Sequence, residues 1–156
     1  MIQRIQSIYL LLVLISSISL YFLPFSTFSH SETGTSFLHI FSVTGHKTFE
    51  GDILKTSQPF YPVLLINIIL SVVSLITILM YKKRQLQMRM CRVLLIIVVG
   101  LVVMIFNQSS RISDAGDQII YHAGTYVMII AMLWVFLALR AIKHDEDLVR
   151  ASDRLR

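Results

Sequence analysis

Four long stretches of the chain, Ile5 to Phe25, Phe60 to Tyr81, Val93 to Ser110 and Gln118 to Leu139, hold no Asp, Glu, Lys or Arg. A helix crosses a hydrocarbon core with about 20 apolar residues, so each stretch is long enough, or nearly so, to span a membrane. This predicts an all-α membrane protein, a four-transmembrane-helix bundle with spans at 5–25, 60–81, 88–108 and 119–140. The 156 residues are 55% hydrophobic and only 15% charged, against about 25% charged in soluble domains. Little is left for a separate water-soluble core, and a single domain over 1–156 is the economical count.

The basic residues orient the chain. Arg4 precedes the first span, Lys82, Lys83, Arg84, Arg89 and Arg92 lie around the link between the second and third, and Arg140, Lys143, Arg150, Arg154 and Arg156 follow the fourth. Only Lys47, Lys55 and Arg111 occupy the other two connections, so eleven of the fourteen Lys and Arg flank one side. Cytoplasmic flanks collect Lys and Arg, which puts both termini inside and predicts a multi-pass protein of a bacterial inner membrane. The net charge of +5 is therefore a topology signal with anionic lipid headgroups as its counterpart, and nucleic acid is not an expected partner.

The first span has Arg4 in front of it, as a secretory signal would, but its apolar run exceeds the 7 to 15 residues of a signal core, and no clean small-x-small site follows Pro24. It reads as a retained helix. The third span is the weakest, because its strictly apolar part, Val93 to Phe106, covers only about 21 Å. Met88, Met90 and Cys91 extend it inward if Arg89 and Arg92 snorkel. One cysteine closes no intramolecular disulfide, which removes the quinone-linked thiol oxidants, whose exchange needs paired thiols.

Within the spans, small and hydroxyl residues mark helix-packing faces, because they let backbones approach and bond across the contact. Ser16, Ser17 and Ser19 fall in the first span; Asn67, Ser71 and Ser74 share one face of the second; Gly124, Ala131 and Ala138 recur every seven residues along the fourth. Between spans one and two, the outer loop 26–59 reads as β-hairpin-like. Ser36 to Val43 is aromatic and β-branched, Thr44-Gly45 is a turn, and Lys47 to Glu50 returns as a second strand. An isolated hairpin is marginal in water, so it should rest on the helices. The tail 141–156 continues as a cytoplasmic helical extension, with Leu148, Val149, Arg150, Arg154 and Leu155 as residues for docking a partner.

Candidates for chemistry are sparse. His30, His39 and His46 share the outer loop with Glu32, Glu50 and Asp52, but without the three- or four-residue spacing of a preformed metal site. Only His122 approaches a span and His144 lies beyond one, which does not suit a haem held by two facing helices. No cofactor is expected. The densest polar group near the membrane is an outer rim of Asn107, Gln108, Arg111, Asp114, Asp117 and His122. As function it binds a small anion, opens a proton path or docks a periplasmic segment; as structure it is a solvated turn with Arg111 paired to Asp114, the reading surface charges favour. Asn67 is the one strongly polar amide deep in a span, where the alternatives are a transport path and an interhelical hydrogen bond.

The opening MIQRIQSIYLLL and the ending RAIKHDEDLVRASDRLR resemble an uncharacterised family of small four-helix inner-membrane proteins from Bacteroidota, a domain of unknown function. The resemblance implies four spans and carries over no catalytic or binding residue. From the residues themselves, the expected function is a non-catalytic accessory subunit packed against a larger integral membrane protein, in an assembly for protein translocation, insertion or export. The alternative is a small homo-oligomeric transporter or channel with the rim as its mouth.

Overall fold

The computed structural model describes residues 3–32, 35–50, 53–80, 84–112 and 118–154. Four helices, α1 Gln3–Ser19, α2 Tyr61–Leu79, α3 Arg84–Ile112 and α4 Ala123–Arg154, carry a small antiparallel sheet at one end. Buried positions step through every helix by three and four residues. They are Gln6, Leu10, Val13, Ser17 and Leu20 at α1; Val63, Asn67, Leu70, Ser74 and Thr77 on α2; Gln87, Cys91, Leu94, Val98 and Leu101 on α3; Ala131, Val135, Ala138, Ile142 and Asp145 on α4. That spacing keeps one seam per helix facing inward. The helices close a ring in which α1 packs on α2 and α4, and α3 packs on the same two.

The outward faces are apolar as well: Ile15 and Ile18 on α1, Leu75 and Leu79 on α2, Ile96 and Val103 on α3, Leu133 and Phe136 on α4 are all exposed. Helices that are hydrophobic all round belong in a larger core or in a membrane. Three of them, within α2, α3 and α4, are long and apolar enough to cross a membrane. The structure is consistent with a membrane protein to that extent. With 17 residues, α1 rises about 25 Å; its helix stops at Ser19, where the sequence predicts a span to residue 25.

Loop 26–59 holds four strands, twice the predicted hairpin. These are β1 Ser26–Glu32, β2 Thr35–Ser42, β3 Gly45–Glu50 and β4 Ile53–Gln58. The predicted pair corresponds to β2 and β3, joined at Val43-Thr44 with Ser42 opposite Gly45. A fifth strand, β5 Gln118–Tyr121, pairs antiparallel with β1, Ser26 opposite Tyr121, and completes the order β4-β3-β2-β1-β5. This corrects the start of the fourth predicted span. Gln118 to Tyr121 is apolar enough to read as helix, but its backbone groups are paired by β1, and α4 begins at Ala123.

The sheet rests on the bundle, as a marginal isolated hairpin would have to. Phe25, Phe28, Phe41 and Val43 are buried, with ring centroids 5.5 Å apart for Phe25 and Phe41 and 6.1 Å for Phe41 and Phe60. Phe106 of α3 meets Tyr121 of β5 at 5.1 Å. Such pairs add about 0.5–1.5 kcal/mol each beyond their buried area.

Candidate functional site

Polar side chains gather at three levels of the bundle. In the last turn of α1 and the second turn of α2, the Ser17 hydroxyl donates to Asn67 Oδ1 at 2.8 Å, and the Asn67 amide returns a bond to the Ser17 carbonyl at 3.2 Å. The Ser17 and Ser71 hydroxyls lie 2.7 Å apart, and Ser74 donates to the Leu10 carbonyl at 3.1 Å. Asn67, Ser71 and Ser74 therefore do form the predicted shared face, and it is directed at α1. Ser16 does not join it; its hydroxyl donates to Leu12 in its own helix at 2.8 Å. Ser17 takes that place because it continues the buried Leu10-Val13 spacing.

At the sheet end, Gly124 brings α4 against the chain that leaves α1. Its N–H donates to the Pro24 carbonyl at 3.1 Å, while the His122 N–H and the Thr125 hydroxyl both donate to the Phe25 carbonyl at 2.8 Å. Ser26 and Ser109 share a buried hydroxyl contact of 2.9 Å. The predicted rim is divided by this arrangement. Arg111 Nε donates to Asn107 Oδ1 at 2.7 Å, one turn back on α3. His122 turns away to Thr27 of β1, 2.8 Å from its hydroxyl. Asp114 and Asp117 lie outside the described residues. Ala131 and Ala138 are fully buried in α4, as the seven-residue seam predicts.

The third level lies at the end remote from the sheet, where α4 runs into the predicted cytoplasmic extension 141–156. Gln6, Thr77, Gln87, Asp145 and Glu146 are all buried there. The Gln6 amide donates to Asp145 Oδ2, tying the first turn of α1 to α4. Met88, Arg92, Leu139 and Glu146 line one cleft between α3 and α4, which sets Gln87 level with the Asp145–Glu146 step. Neither amide atom of Gln87 has a hydrogen-bond partner among the described residues. Of the residues predicted for partner docking, Leu148 is exposed, and the side chains of Val149, Arg150, Arg154 and Leu155 lie outside the described part.

A buried amide without partners costs about 1–3 kcal/mol, and methionine fills nearly the same volume without that cost. Gln87→Met is accordingly expected to raise the unfolding midpoint in detergent, by about 1–2 kcal/mol of stability. A lower midpoint would show that the Gln87 amide contributes bonds to the native state.

Among the described residues no three His, Cys, Asp or Glu side chains come together as a metal site; His30 and His39 sit on β1 and β2, and His46 on β3. Most of the buried hydroxyl and amide groups bond helix to helix or helix to sheet. Residues 2–155 match the domain of unknown function DUF4293, and the chain belongs to that family. No curated protein matches it.

Proposed function

We propose that this family member is a four-span inner-membrane protein with both termini in the cytoplasm, and that it serves as a non-catalytic accessory subunit of a larger membrane assembly. The charge distribution supports the orientation: eleven of fourteen Lys and Arg flank the end away from the sheet. For α1 to cross as the fourth span, the turn at Leu20 to Leu23 must lie within the outer interface, with the exposed Phe22 facing lipid.

One observation carries the subunit reading. The sheet ends on β4, an edge strand whose Ile53 and Leu54 are 71% and 50% exposed. Lys55 charges this edge, as soluble edges often are, but the adjoining exposed apolar pair Ile53-Leu54 still offers side chains for strand addition by a partner. The polar groups support it too, because the α1–α2 bonds fasten the bundle and leave no continuous polar path among the described residues of that seam.

A copy carrying an affinity tag and a topology reporter after Arg156 tests the proposal. Purification in mild detergent is expected to recover one larger integral membrane protein in fixed stoichiometry, with the reporter active only in the cytoplasm. A lone monomer would overturn the subunit reading. A reporter exposed outside would overturn the orientation.

A further inference from the structure

Between α2 and α3, toward the sheet end, lies an open groove of about 720 Å³. Its walls are Ile66 and Ile69 from α2 and Ile97, Val103 and Met104 from α3, and its floor opens at Gly100. A Cβ added to Gly100 meets nothing within 4 Å, so this glycine is not there for a close helix contact. It leaves room. Polarity appears at one end only, where Asn107, Gln108 and Arg111 close the groove. From Ile97 to Arg111 the helix rises about 21 Å, somewhat more than one leaflet of a hydrocarbon core about 30 Å thick.

We propose that this groove binds one anionic phospholipid of the outer leaflet, with an acyl chain laid between α2 and α3 and the phosphate held by Arg111. The inference rests on the membrane reading above. Asn107 accepts the Arg111 Nε–H, which fixes the guanidinium plane and leaves its terminal N–H groups without a partner among the described residues. A fixed guanidinium fork matches a phosphate better than a mobile ammonium does. An apolar channel with a single cationic end fits an amphiphile with one charged head.

Native mass spectrometry of the detergent-purified protein, titrated with phosphatidylglycerol or phosphatidylcholine, tests this. The wild type is expected to retain one phosphatidylglycerol at about tenfold lower concentration than phosphatidylcholine, since one charge-assisted contact separates the two. Arg111→Gln should abolish that preference while a chain is still bound. Gly100→Leu, whose Cβ enters open space and whose side chain fills the groove, should lose both lipids at a melting midpoint no lower than that of the wild type. Equal retention of the two lipids by the wild type overturns the proposal, as does full retention by Gly100→Leu or a dimer that excludes lipid. A chain that stays dispersed without detergent would instead overturn the membrane reading, whatever lipid it retains.

Discussion

Gly124→Val is expected to destabilise the protein by about 3 kcal/mol, because overpacking alone costs about 1–3 kcal/mol and further hydrogen bonds are lost here. A Cβ at this position would stand 2.6 Å from the Pro24 carbonyl oxygen and 3.0 Å from Phe25 Cδ1. The first is backbone and has little freedom to yield. It is also the acceptor of the Gly124 N–H, and the next carbonyl, that of Phe25, accepts from His122 and Thr125. Pushing α4 away therefore loosens three bonds and the Phe25–Phe41 packing that seats the sheet. Unfolding followed by circular dichroism in detergent should show a lower midpoint. Gly100→Ala is the control. It fills open space, and by helix propensity alone should add up to about 1 kcal/mol. Equal behaviour of the two variants would mean that α4 and Pro24 do not touch.

The same residue shows how far a reading of the sequence reaches. Gly124, Ala131 and Ala138 stand out by their seven-residue interval, and the structure buries all three. What the interval does not disclose is that Gly124 faces Pro24 and not a parallel stretch of helix, because that contact joins residues 100 positions apart. Strand β5 is hidden for a related reason. Gln-Ile-Ile-Tyr is apolar, and only its pairing with Ser26 to Ser29 distinguishes it from the first turn of a span. The polar strands β1 and β4 carry no strong local alternation and form on β2 and β3, whereas the aromatic pair around Thr44-Gly45 announces itself.

Rotational phase along the helices carries further information. The buried spacing Gln6, Leu10, Val13, Ser17, Leu20 selects Ser17 over Ser16 by rotational phase. Likewise Ala138, Ile142 and Asp145 continue the steps of four and three past Arg140. The charged run past Arg140 does not end the packed seam, because at the bundle's end Asp145 faces the Gln6 amide. A carboxylate bonded to a neighbouring helix can remain inside the seam, where a charge left unbonded would not.

Asn67→Ala is expected to lower stability by about 2 kcal/mol, combining a small cavity with the loss of two interhelical bonds that average about 0.6 kcal/mol, and reach about 1.7, in membrane proteins. Its two bonds to Ser17 are reciprocal, so the partner variant Ser17→Ala removes the same interaction from the other side. In a double-mutant cycle the pair should couple by about 1 kcal/mol. Ser71 keeps the cycle below full loss, since its hydroxyl lies 2.7 Å from that of Ser17 and survives in Asn67→Ala. The measurement also separates the two functional readings. If Asn67 lines a transport path, its substitution changes flux in proteoliposomes and leaves the unfolding midpoint in place. A residue that fastens α1 to α2 does the reverse, and its fully buried position between Ser17 and Ser71 assigns it to the fastening. An unchanged midpoint with altered flux would sink that assignment and revive the channel.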